Sequence, residues 1–95
     1  MRDFHLPGRS AVFATNGMCA TSHPLAAAAA LEILKSGGNA VDAAIAGAVL
    51  LGICEPQMTG LGGDMFALIQ KDPSADVVAL NGSGRAPQAA NAATL

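Results

Sequence analysis

Two short apolar runs, two long alanine-rich stretches and two further short apolar runs follow one another along this chain. Glycine, asparagine and proline separate them. Ala11-Val12-Phe13-Ala14 and Met18-Cys19-Ala20-Thr21 flank Asn16-Gly17. Both central residues tolerate positive φ, so the pattern predicts a hairpin, with a single bent extended segment as the alternative. Residues 25–35 predict a helix, with Ser22 as its N-cap and Pro24 in a first turn that has no use for its missing N–H. Leu31 and Leu34, with Ala27 and Ala28 one turn earlier, give that helix an apolar face. Lys35 suits the negative end of the helix dipole, and Gly37 supplies the left-handed residue that ends it.

A second helix is predicted from a cap at Asn39 to about Cys54, with Asp42 in its first turn. Val41, Ile45, Val49 and Leu50 line one side. Leu51 and Ile53 carry the apolar surface further round, and the remainder is alanine and glycine. Such a helix is normally buried on several sides. Glu55-Pro56 closes it, because the residue before proline avoids the α region. A glycine-rich loop follows over residues 58–63, then a strand at 65–70, a turn at 71–74 and a returning strand at 77–80. Asn81-Gly82-Ser83-Gly84-Arg85-Ala86-Pro87 is a polar loop, and residues 88–95 predict the start of another helix. The lead-in, residues 1–10, is expected to be irregular with a turn at Pro7-Gly8. The order β, α, α, β, β predicts helices against an antiparallel sheet, an α+β or layered α/β arrangement.

Composition narrows the partners. The 95 residues are 52% hydrophobic but only 3% aromatic, and the formal net charge is −2. Alanine dominates the apolar count and buries little area, so the core is thin for one small domain. That favours a single partial domain over residues 1–95. Scattered Lys and Arg give no nucleic-acid or anionic-membrane footprint. The lead-in lacks an apolar signal-peptide core, and the apolar stretch 43–54 is too short to cross a bilayer, which together predict a cytoplasmic protein. Cys19 and Cys54 read as buried thiols, and no cysteine–histidine cluster suggests zinc. His23 reads as structural rather than as a metal ligand. His5 is expected to be solvent-exposed. Asp42 reads as a helix-start charge. Gly60-Leu61-Gly62-Gly63 lacks a phosphate-binding lysine and leads into a strand, so its glycines serve close packing.

Three pieces carry a resemblance. Ser22-His23-Pro24-Leu25-Ala26-Ala27, Gly37-Gly38-Asn39-Ala40-Val41-Asp42-Ala43-Ala44 and Glu55-Pro56-Gln57-Met58-Thr59-Gly60-Leu61-Gly62-Gly63 stand in this order and spacing. Together they resemble the start of the large subunit of the γ-glutamyltransferase (γ-glutamyltranspeptidase) family, from about Gly17 to Pro87. The resemblance implies a four-layer αββα sandwich of the N-terminal-nucleophile (Ntn) hydrolase type, with no metal and no organic cofactor. It implies a precursor that cuts itself, freeing a threonine that attacks the γ-amide of glutathione or a similar donor. That threonine's own α-amine is the base, and the group passes through a γ-glutamyl-enzyme to water or an amino acid. Thr15, Thr21, Thr59 and Thr94 do not stand in the family's Thr-Thr-His cleavage motif. No catalytic residue is therefore assigned, and the threonine-bearing small subunit is an expected partner.

Many family members bind the donor's α-carboxylate through an arginine in an Asp-x-Arg-Glu-x-Ala-Pro loop, a role suited to a bidentate guanidinium. Aligned on Ala86-Pro87, this chain has Ser83 at that position and Arg85 two residues later. The form resembles a variant branch of the family. Ser83 and Arg85 are the candidate substrate-binding residues, and a related acylase acting on another acyl amide, of the cephalosporin-acylase kind, is the alternative activity. Asp64 replaces the family's more usual glycine, as a turn cap or as an acid that orients backbone amides. The reading from another class is a non-catalytic helical module that docks through the apolar surface of the second helix.

Overall fold

A computed structural model describes residues 11–91 and 93. The lead-in, its turn at Pro7-Gly8, His5 and Thr94 lie outside the described residues. The element order is α1 (Pro24–Lys35), α2 (Ala40–Cys54), β1 (Met65–Ile69) and β2 (Val78–Gly82). The hairpin expected around Asn16-Gly17 does not form. The chain bends at Thr15-Asn16 without a ladder on either side. Neither flank offers an alternating face to bury, and turn chemistry alone does not hold two short strands together.

Helix α1 begins one residue earlier than expected, with a different cap. His23, extended at φ −114°, accepts the Leu25 N–H on Nδ1 at 3.2 Å. Ser22 instead donates its hydroxyl to the Glu55 carboxylate at 2.6 Å, tying the entry of α1 to the exit of α2. The turn between the helices is a Schellman motif. Gly37 sits at φ +91°, its N–H donates to the Leu34 carbonyl at 3.2 Å, and the Gly38 N–H donates to the Ile33 carbonyl at 2.9 Å. These bonds satisfy carbonyls that the helix end leaves open. Asn39 then opens α2 in a capping box. Its Oδ1 accepts the Val41 and Asp42 N–H groups at 2.8 and 3.0 Å, and Asp42 Oδ2 accepts the Asn39 N–H at 2.9 Å. One helix thus ends and the next begins with the amides of Gly37, Gly38, Asn39, Val41 and Asp42 all paired.

The two helices pack through small residues. Ala26 and Ala30 of α1 are fully buried, against Ala43 and Gly47 of α2. A Cβ placed on Gly47 would lie 3.7 Å from the Ala26 carbonyl oxygen and 3.8 Å from the Ala30 Cβ. This seam corrects the expected faces. Leu31 and Leu34 are only half-buried, and Val41, Ile45 and Val49 of α2 are exposed, Ile45 to 58%. Close approach along an alanine–glycine stripe leaves the larger side chains outside the contact.

Strands β1 and β2 pair antiparallel, with Met65 opposite Gly82 and Ile69 opposite Val78. The turn between them is held by Asp72, which accepts the Ser74 N–H at 2.9 Å and the Ser74 hydroxyl. Those two bonds hold the Asp72 carboxyl below its ordinary value of 3.8. The second strand starts and ends later than the apolar pattern suggested, because pairing with Met65 carries the ladder through Asn81 and Gly82. Phe66 and Leu68 are exposed to 66% and 78%, and no large side chain is fully buried among the described residues. The helix expected over residues 88–95 is absent from residues 88–91, where the Ala90 N–H closes a turn on the Pro87 carbonyl at 2.8 Å.

Candidate functional site

The register of β1 and β2 decides what meets at one end of the sheet. Met65 opens β1 and Gly82 closes β2, and the two are partners. The next residues outward, Asp64 from the glycine-rich loop and Ser83 from the polar loop, are therefore neighbours. Asp64 Oδ1 accepts the Gly84 N–H at 2.7 Å. Asn81 Oδ1 accepts the preceding amide, Ser83 N–H, at 3.0 Å. Two successive backbone N–H groups are thus pinned by side chains, one from within the loop and one from twenty residues upstream. A Cβ at Gly84 would stand 2.8 Å from Asp64 Oδ1, so a side chain there would displace the carboxylate from this approach.

Ser83 and Arg85 lie on this loop as expected, and both are exposed. The Ser83 hydroxyl makes only a long contact, 3.5 Å, to the Gly84 carbonyl. Arg85 forms no ion pair or hydrogen bond among the described residues. Its loop is held by Asn81 and Asp64, so the guanidinium is not consumed in ordering its own surroundings. A free guanidinium on a fixed loop can take a carboxylate in a bidentate geometry.

The remaining candidates resolve structurally. His23 caps α1 and Asp42 completes the capping box. Cys19 and Cys54 are free and half-buried rather than fully buried. Gly52 of α2 approaches the glycine-rich loop, where a Cβ would lie 3.9 Å from the Gly60 Cα. That closeness is the packing role expected of these glycines. A shallow groove on the sheet is lined by Phe66, Leu68, Ala79 and Leu80. It carries no titratable group, so it is a packing surface rather than a place for chemistry. Sequence reasoning missed the Ser22–Glu55 bond. Pairing a hydroxyl with an acid thirty-three residues away leaves no local pattern to find.

The sequence profile of the Gamma-glutamyltranspeptidase family matches residues 26–95. The chain belongs to that family. It is 41% identical over 75 residues to the glutathione hydrolase proenzyme of Bacillus subtilis, covering 79% of this chain and 13% of that one. It is 44% identical over 72 residues to the oxamate amidohydrolase proenzyme of Klebsiella pneumoniae, again covering 76% of this chain and 13% of the relative. Its structure is similar to the gamma-glutamyltranspeptidase from Pseudomonas nitroreducens complexed with L-DON, at a TM-score of 0.77 and 36% identity. That alignment covers 84% of this chain and 23% of the other. The chain therefore spans about an eighth of the length of these curated relatives. Its α+β arrangement is that of a gamma-glutamyltranspeptidase Ntn-hydrolase fold.

Proposed function

We propose that this chain is the first part of the large subunit of an Ntn amidohydrolase that cleaves γ-glutamyl amides such as glutathione. The exposed, unpaired Arg85 on its anchored loop carries the reading: it takes the α-carboxylate of the γ-glutamyl donor, with the Ser83 hydroxyl beside it. Family membership supports the reaction class. The surface supports the partial domain. The accessible area is 8367 Å², whereas a compact monomer of this mass exposes about 5000 Å². The apolar sides of α2 and of the sheet are where further layers of the sandwich close.

The chemistry sits on a threonine outside this chain, at the start of the small subunit released by self-cleavage. Its hydroxyl adds to the amide carbonyl while its α-amine takes the proton. The C–N bond then breaks, and the amine leaves with a proton. Backbone donors hold the oxyanion in between. Water or an amino acid then attacks the γ-glutamyl ester, releasing the threonine. On this reading the 95-residue chain lacks that threonine and is inactive alone.

A second reading, an amidohydrolase for a different acyl group, rests on a specific observation. Ser83 stands where the family's arginine is expected, and one relative acts, by its name, on oxamate. Both substrates carry a carboxylate, directly on the amide carbon in oxamate and at the far end of the acyl group in a γ-glutamyl donor, so Arg85 takes a carboxylate in each. The test uses the full-length protein, inspected for self-cleavage and assayed with a γ-glutamyl anilide and with oxamate. Release of the aniline, abolished when cleavage is blocked, is the expected result. Turnover of oxamate alone transfers the assignment to the second reading, and cleavage of neither substrate refutes both.

A further inference from the structure

The bond between Asp64 and Gly84 is the one described side-chain-to-backbone bond that joins segments distant in sequence. All others span five residues or fewer. It joins the glycine-rich loop to the loop that carries Ser83 and Arg85. We infer that Asp64 is a positioning residue: its carboxylate fixes the Ser83–Gly84 peptide and thereby sets where Arg85 meets the carboxylate of the acyl donor. The inference rests on the proposed role of Arg85 and deepens it.

Three observations carry the argument. The contact is short, 2.7 Å, as expected of a charge-assisted bond from a neutral amide to a carboxylate. The partner is Gly84, at a position where a Cβ would stand 2.8 Å from the accepting oxygen. The acid also makes no ion pair with Arg85, although Arg85 directly follows the residue whose amide the acid binds. An Asp64–Arg85 pair would neutralise the guanidinium in advance. Binding the neighbouring N–H instead orders the loop and leaves the positive charge for an anionic ligand. Asn81 holds the previous amide, Ser83 N–H, in the same way, so the two successive amides that precede Arg85 are both restrained.

The test is steady-state kinetics on the full-length protein with two anilides. One is γ-glutamyl and the other is 4-aminobutanoyl, which lacks the α-carboxylate. Asp64→Ala is expected to raise KM for the γ-glutamyl donor roughly tenfold with kcat within about twofold, the loss of one charge-assisted bond. Asp64→Asn keeps an accepting oxygen and is expected to stay within roughly threefold of the parent KM. Gly84→Ala, which forces the accepting oxygen away, follows Asp64→Ala. None of the three shifts KM for the 4-aminobutanoyl donor. An unchanged KM in Asp64→Ala overturns the inference. So does an equal rise for both donors, or a failure of Asp64→Asn to rescue. Arg85→Ala, measured alongside, separates the two levels. If it leaves the γ-glutamyl KM unchanged, the carboxylate-binding reading fails and the inference falls with it. If it raises that KM while Asp64→Ala does not, only the inference fails.

Discussion

Adjacent glycines at the turn between the helices are required for different physical reasons, and substitution distinguishes them. A Cβ added at Gly38 would lie 2.5 Å from Ile33 Cγ2 and 3.0 Å from the Ile33 carbonyl oxygen. Relief requires a shift of about 1 Å, since carbon atoms settle at ~3.5 Å or more. Either Ile33 leaves its rotamer, or residues 37–39 lift and lose the 2.9 Å bond from the Gly38 N–H to the Ile33 carbonyl. Overpacking of this kind costs about 1–3 kcal/mol, and the bond about 1 kcal/mol. At Gly37 a Cβ meets nothing within 4 Å, but φ is +91°. There the cost is backbone strain, about 1–2 kcal/mol for a side chain in the left-handed region.

The assay is hydrogen exchange over residues 33–43 of the full-length protein, which reads local opening without requiring a two-state melt. Gly37→Ala and Gly38→Ala should each speed exchange of these amides roughly tenfold, the equivalent of about 1.4 kcal/mol. Asn tolerates the left-handed region, so Gly37→Asn should recover part of the protection, and Gly38→Asn should recover none. Removing the obstructing methyl with Ile33→Ala should reduce the penalty of Gly38→Ala by about 1 kcal/mol in a double-mutant cycle. Asparagine rescuing both positions equally, or a strictly additive cycle, would refute the assignment of strain to Gly37 and of contact to Gly38.

Two further outcomes follow from the geometry. Gly47→Ala places its methyl at ordinary contact distance from Ala26 and Ala30, so it should stabilise α2 by about 0.5–1 kcal/mol through helix propensity, whereas Gly47→Leu should destabilise it by about 1–3 kcal/mol. Exchange protection of α2 checks both, and loss of protection in Gly47→Ala would show the seam to be tighter than described. The Asp72 carboxyl is lowered by its bonds from Ser74, so the stabilisation of the 71–75 turn is complete above the ordinary carboxylate value. It is lost as pH falls through the lower folded value. The Ser74 amide shift in an NMR titration should move with a midpoint below 3.8.

Local chemistry was legible in the sequence wherever a single turn decided the structure. Gly37 at positive φ, the Asn39–Asp42 cap, the end of α2 at Cys54 and the Asp72 turn all satisfy amides within five residues of themselves, which is the range over which a sequence pattern acts directly. The helix faces were not legible. A period of 3.6 marks apolar positions but does not say which stripe touches a partner, and here the contact falls on alanine and glycine because they let the helices come close. Leucine, isoleucine and valine, which dominate any hydropathy pattern, lie beside the contact rather than in it. The Asn16-Gly17 pair shows the converse, since a strong turn signal produces only a bend when the flanking runs have no alternating face to pair and bury.

The site divides along the same line. Arg85 and Ser83 are candidates from a motif that this chain does not quite match, and the structure gives the mismatch a physical sense. A loop with the arginine two residues later must be fixed two residues later, and the acid that fixes it appears as a departure from glycine at Asp64. Neither change is informative alone. An aspartate in a glycine run reads as a turn cap, and a shifted arginine reads as a surface charge. Only the β1–β2 register, which makes Met65 and Gly82 partners, puts the two departures side by side and turns them into one arrangement. If Arg85 takes the donor carboxylate as proposed, its placement depends on strand pairing. A one-residue slip between β1 and β2 would move Asp64 away from Gly84 and release Arg85, even with every side chain of the site still present.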